Sequence, residues 1–230
     1  LPGETIRTPR VSFVAYAGDE ERGINMWRRW YFDHILPREN GEKLPPKFCA
    51  HVFGAGGHPE FTGATEENQV GGIEDYVRRG LTPDIWWLDA GWYFGANGES
   101  VSWPQTGSMD MDTNRFPDRM AEIGQFCKDH NMRMMIWFEP ESIRLDKNAF
   151  LAGQEGFKEE WFLPKAMEGS WLEGYIMNLT DPECVDWVFA KICKVIDDAG
   201  ATGFRSDFNC DPGGSWATND LRNPGRKGMT

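Results

Sequence analysis

Three times in succession the chain places a short, almost unbroken apolar run ahead of a segment with helical spacing, and a fourth apolar run closes the series. The first run is KFCAHVF (Lys47 to Phe53), which feeds the glycine-rich loop GAGGHPEFTG. A helix over Thr65 to Gly80 follows, with a capping threonine, two acids in its first turn and a glycine at its end. The second run, PDIWWLDAGW (Pro83 to Trp92), leads into a polar loop from Tyr93 to Arg115 that is too long for a minimal connection, and loops of that length in compact domains are functional or disordered. A helix over Phe116 to Asn131 is then expected, with Pro117 at its first position. The third run, MRMMIWFEPES (Met132 to Ser142), precedes a segment from Ile143 to Met177 that reads as a helix followed by short extended pieces. Asp181, Pro182 and Gly200 cap, start and stop a clear helix over Thr180 to Gly200. TGFRSDF (Thr202 to Phe208) is the fourth run.

Strands that are apolar on nearly every residue are buried on both faces, which is the signature of parallel sheets covered by helices. Two architectures satisfy that pattern, a doubly wound sheet and a (β/α)8 TIM barrel. The loop after the first strand lacks the Gly-x-Gly-x-x-Gly spacing of a dinucleotide site, so the barrel is the expectation. Residues 1–44 read as an N-terminal segment and linker helix, the helix lying over Asp19 to Leu36, and residues 45–230 as a partial TIM-barrel catalytic domain. Four candidate strands of eight are present, so the chain reads as the first half of a barrel. It starts at Leu1, so nothing is visible of what precedes it.

Acidic residues outnumber basic ones 36 to 24, a net charge of −12, which argues against a nucleic-acid backbone or an anionic membrane as partner. No apolar run is long enough to span a bilayer and no signal-peptide pattern is present. Cys49, Cys127, Cys184, Cys193 and Cys210 are odd in number and form no Cys-x-x-Cys pair. Buried free thiols and a reducing compartment, the cytoplasm, are therefore expected. His34, His51, His58 and His130 show no ligand spacing, so neither a metal site nor a cofactor is expected.

Acids recur where successive strands end: Asp89 after the second, Glu139 and Glu141 after the third, Asp207 after the fourth. In a barrel these carboxyl ends converge on one face, where the active sites of that fold sit. Each taken singly is equally well explained as a cap or a loop ion pair. Carboxylates without histidines suit acid–base chemistry or attack on an acetal carbon. Among eleven tryptophans, Trp92, just past a strand end beside Gly91, is the best platform for a sugar face and Trp137 a second, while mid-strand Trp87 reads as core.

These residues also carry a family resemblance. LDAGW (Leu88 to Trp92), NRFPD (Asn114 to Asp118), IWFEPES (Ile136 to Ser142), NLTDPE (Asn178 to Glu183) and RSDFN (Arg205 to Asn209), with TEEN opening the first barrel helix, resemble glycoside hydrolase family 36 in order and rough spacing over Pro45 to about Asn209. That family comprises α-galactosidases, α-N-acetylgalactosaminidases and raffinose and stachyose synthases. The resemblance implies a TIM barrel acting on an α-linked oligosaccharide or glycoside by a retaining mechanism, with Asp207 as the nucleophile and Asn209 matching the asparagine that follows it. Substrate contacts are expected from Asp89, Trp92, Trp137, Glu139, Arg205 and Asn209. The acid/base of the family lies in a later Cys-x-Ser-Gly-Gly type segment that is absent from this chain, so these residues alone are expected to be inactive. Two departures stand out. A family pair of aspartates is here Asp89 and Ala90, and a family Lys-Trp is Arg205 and Ser206, which puts galactose selectivity in question. A non-catalytic sugar-binding barrel, a transglycosylase and an α-N-acetylgalactosaminidase stay open, as does homo-oligomerisation of the full-length protein. A Schiff-base aldolase ranks behind them, since no strand ends in lysine.

Overall fold

The computed structural model describes residues 5, 8–52, 63–94, 106–165, 174–209 and 212–222. The glycine-rich loop with His58, the middle of the long loop after the second strand, and Cys210 lie outside the described residues. The chain divides into two compact units, Leu1–Pro46 and Lys47–Thr230.

In the first unit, α1 (Glu20–His34) starts where the Asp19 side chain accepts the Arg22 N–H at 2.9 Å, with Glu20 and Glu21 in the first turn. A hairpin not expected from the sequence follows, β1 (Arg38–Glu39) with β2 (Glu42–Lys43). Its turn residues Asn40 and Gly41 have φ of 52° and 83°. Two left-handed residues in a row are what a tight hairpin turn requires, and Asn-Gly supplies them most cheaply.

In the second unit the alternation expected from the sequence is present: β3 (Cys49–Ala50), α2 (Glu66–Arg78), β4 (Ile85–Leu88), α3 (Ala121–Asp129), β5 (Arg133–Phe138), β6 (Ser142–Ile143), α4 (Lys147–Gly153), β7 (Tyr175–Ile176), α5 (Pro182–Ala199), β8 (Gly203–Ser206) and α6 (Gly213–Arg222). Strands β3, β4, β5 and β8 form one parallel sheet in that order, while β6 and β7 make a separate antiparallel pair. Helix α2 begins as expected, the Thr65 side chain accepting the Asn68 N–H. Helix α5 has Asp181 as cap, Pro182 in its first turn and Gly200 at φ 63° as its stop. Helix α3 starts four residues later than Pro117 suggests. Arg119 and Met120 take φ of 62° and 69°, and the Asp118 carboxylate accepts the Glu122 N–H at 2.7 Å, so the chain turns once more before it coils. The segment GGSWATNDLR, unassigned from the sequence, is α6.

Register sorts the side chains. Trp86 pairs with Met134 and Leu88 with Ile136, and all four are buried on one face of the sheet. Helix α2 packs there at Gly72, where an added Cβ would stand 3.0 Å from the Trp86 ring, and Gln69 accepts the Trp86 indole N–H at 2.8 Å. Alternation puts Trp87, Met135, Trp137 and Arg205 on the opposite face, since Trp87 pairs with Met135 and Trp137 with Arg205. Continued past the strand ends, the same period adds Asp89, Glu139 and Asp207. Of the free cysteines, Cys127 and Cys184 are buried as expected, whereas Cys49 and Cys193 are exposed.

Candidate active site

Asp207 stands one residue beyond β8, and its backbone N–H still donates to the Phe138 carbonyl at 2.8 Å. The sheet therefore fixes where its carboxylate begins. Oδ2 accepts from the Trp137 indole N–H at 2.9 Å, the Arg205 guanidinium at 2.9 Å and the Asn209 amide at 3.3 Å, and Oδ1 accepts the Phe208 N–H at 2.9 Å. Burial pushes this carboxyl up. The hydrogen bonds from Trp137, Phe208 and Arg205, with the Arg205 charge, outweigh burial and hold it below its ordinary value. Asp207 is thus a partly exposed carboxylate, kept ionised by neighbours that also fix its direction.

Arg205 is held in turn. Its guanidinium carbon lies 4.5 Å from the centroid of the Trp87 ring, a cation–π contact, and His51 approaches the same ring at 5.9 Å. The Trp87 indole nitrogen is enclosed with no hydrogen-bond partner among the described residues. Asp89, half-buried, accepts the Ala90 N–H at 2.9 Å and follows Trp87 on the same face of the sheet.

Two tryptophans exchange the roles expected of them. Trp92 is 1% exposed, donates its N–H to the Trp137 carbonyl at 2.9 Å, and meets Tyr93 and Phe138 edge-on. It is core, held there by that hydrogen bond and those ring contacts. Trp137 is equally buried, with its ring stacked on Tyr93, and it reaches the site only through its N–H. Trp87, read from the sequence as core, is the ring that lies at the site. Its signal was there in its spacing, two residues before Asp89.

Glu139 is 2% exposed. It forms an ion pair with Arg144 at 2.8 Å in which both side chains are fully enclosed, and it accepts the Asn209 N–H at 3.2 Å. This carboxylate props the loop that carries Asn209 from beneath, a position in which it does not meet solvent. Removing one partner of such a pair costs about 3–5 kcal/mol. Burial, with the Glu139 charge added, raises the neighbouring Glu141 carboxyl. The expected site residues Asp207, Arg205, Asn209 and Trp137 are therefore joined by hydrogen bonds, Asp89 follows the end of β4 in the same sheet, Glu139 supports the Asn209 loop, and Trp92 is withdrawn into the core.

A parallel β/α sheet with a carboxylate at a strand end is the setting of a barrel hydrolase, and the comparisons agree. Residues 49–227 match the model of the glycosyl hydrolases family 31 TIM-barrel domain. The chain is 22% identical over 212 residues to an alpha-galactosidase of Escherichia coli, covering 90% of this chain and 27% of that protein. It is 20% identical to alpha-galactosidase Mel36A of Lactobacillus acidophilus, again covering 90% and 27%. Among solved structures it resembles the galactosidase domain of the alpha-galactosidase-sucrose kinase AgaSK, with a TM-score of 0.57 at 17% identity over 77% of this chain and 23% of that one. It also resembles the Thermus thermophilus alpha-galactosidase TtGalA in complex with p-nitrophenyl alpha-D-galactopyranoside, with a TM-score of 0.54 at 18% identity over 83% and 35%. The chain thus spans about a quarter of the length of the curated relatives it matches. Fold and family match together define a TIM-barrel domain of a glycoside hydrolase. More particularly, the chain belongs to the family 31 glycosyl hydrolase TIM-barrel domains, where its motifs alone suggested family 36.

Proposed function

We propose that the protein is a retaining glycoside hydrolase of the α-galactosidase type, with Asp207 as its nucleophile. The observation that carries this reading is the Asp207 carboxylate at the end of β8, held ionised and aimed by Trp137 and Arg205. In the reaction an Asp207 oxygen bonds to the anomeric carbon as the glycosidic C–O bond breaks. The bonding pair leaves with the aglycone oxygen, which is protonated by a second carboxyl group about 5 Å from the first. Water then attacks the anomeric carbon of the glycosyl-enzyme, the second carboxyl group, now a carboxylate, takes its proton, and the C–O bond to Asp207 breaks to release that carboxylate. We assign the second carboxyl group to no residue of this chain. Galactose as the sugar rests on the names of the relatives and on the family 36 motif order, which we take as the finer affiliation. We assign Asp89 and Arg205 to contacts with hydroxyls and Trp87 to the border of the sugar, supported by the Arg205–Asp207 pair and the Arg205–Trp87 contact.

The test is Asp207→Ala in the natural full-length protein, assayed on nitrophenyl α-galactoside. We expect kcat to fall by several orders of magnitude and added azide to restore part of it, giving the glycosyl azide of inverted configuration. Turnover at the wild-type level would overturn the assignment. Unimpaired sugar binding by a wild-type protein without turnover would instead favour a sugar-binding barrel.

A further inference from the structure

On the side of the sheet that α2 covers, three carboxylates converge between the starts of two helices. Glu66 is the first residue of α2 and is 7% exposed. Asp118 precedes α3 and Glu122 lies in its first turn, both exposed. One oxygen from each lies within 4.8 Å of the other two. The Met120 N–H serves the Glu66 carboxylate, but its second oxygen, Oε2, is enclosed and receives no hydrogen bond. The two arginines nearest in sequence are engaged elsewhere. Arg115 pairs with Asp112 and donates to the carbonyls of Ala64 and Tyr93, and Arg119 pairs with Asp198.

A buried carboxylate oxygen that faces two other carboxylates and no donor needs a compensating positive charge. Two helix N-termini contribute about half a unit charge each against three carboxylates, which leaves a deficit of about two units. We propose that Glu66, Asp118 and Glu122 form a divalent-cation site, selective for calcium, that ties the start of α2 to the start of α3. An all-carboxylate set without histidine or thiolate suits a hard cation. Calcium–oxygen bonds of about 2.3–2.6 Å put opposite ligands about 4.6–5.2 Å apart, whereas magnesium demands about 4.0–4.2 Å. The three oxygens all lie within 4.8 Å of one another, which one calcium ion can bridge, and three protein carboxylates are more than the one or two that magnesium usually takes. Glu66 and Glu122 also line a cleft of about 1140 Å³.

The experiment is calorimetric titration of calcium chloride into chelator-stripped, dialysed full-length protein, paired with thermal melting at fixed pH. One saturable site per chain and a Tm that rises with calcium are expected, with magnesium at least tenfold weaker. Glu66→Gln keeps the shape and removes the charge, and Glu122→Gln does the same at an exposed position that puts folding at no risk. Each should weaken calcium binding at least tenfold and abolish the calcium-dependent Tm shift. Absence of saturable calcium binding in the wild type, or undiminished binding in both variants, would overturn the proposal.

Discussion

Asp207 is held low by Arg205 and by two N–H donors, and the sign of the pH response follows. A carboxyl whose folded value lies below its unfolded one adds stability that is complete above the ordinary carboxylate range and is lost as pH falls through the lowered value. Arg205→Met removes the cation and one donor, so the acid limb of the kcat/KM profile should move to higher pH, along with the acid limb of thermal stability. An unmoved acid limb would show that Arg205 does not set the ionisation of Asp207. Asp89 carries a second prediction. A charged hydrogen bond to a sugar hydroxyl contributes about 1.5–3 kcal/mol, so Asp89→Ala should lower kcat/KM on nitrophenyl α-galactoside by roughly ten- to a hundredfold. The ratio of rates on the α-galactoside, α-N-acetylgalactosaminide and α-glucoside should change with it. If Asp89 serves only to close the turn at Ala90, Tm will fall while those ratios hold. Ala90 itself is buried, so a carboxylate installed there would lose its hydration, and the missing family aspartate is not restored by one substitution.

At the scale of elements, the helices pack through points of close approach that single substitutions can probe. A Cβ on Gly124 of α3 would overlap the carbonyl oxygen of Ala199 at the end of α5, whereas one on Gly71 of α2 meets nothing within 4 Å. Gly124→Ala should therefore destabilise by about 1–3 kcal/mol. Gly71→Ala should stabilise by about 0.5–1 kcal/mol through helix propensity alone. Thermal melts of the two variants shifted in the same direction would contradict this packing. The same elements show what the sequence made legible. The helices α2 and α5 were readable to within a residue or two because Thr65, Asp181, Pro182 and Gly200 signal their ends chemically. The start of α3 was not, because Pro117 looks like a first-turn proline while Arg119 and Met120 adopt a left-handed backbone that no side chain announces. The β1–β2 hairpin was signalled by Asn40 and Gly41 but masked by the prolines around it.

For the whole molecule, strand order and the convergence of Asp89, Glu139, Arg205 and Asp207 at one end of the sheet followed from the β/α alternation, since parallel strands bring all their carboxyl ends together. Which side each tryptophan faces did not follow. Strands apolar on both faces carry no alternation to read, and it takes the register to set Trp87 on the face of Arg205, while the Trp137 carbonyl holds the Trp92 indole in the core. The cation cluster was invisible for a related reason, since Glu66 is far in sequence from Asp118 and Glu122 and each acid passes for an ordinary helix-start residue. The nucleophile assignment is tested most directly by inactivating the natural full-length protein with an activated fluorinated α-galactoside and mapping the labelled peptide. Covalent mass on the peptide containing Asp207, at that residue and in proportion to lost activity, is the result expected. Label on any other residue, or inactivation that leaves Asp207 unmodified, would contradict it.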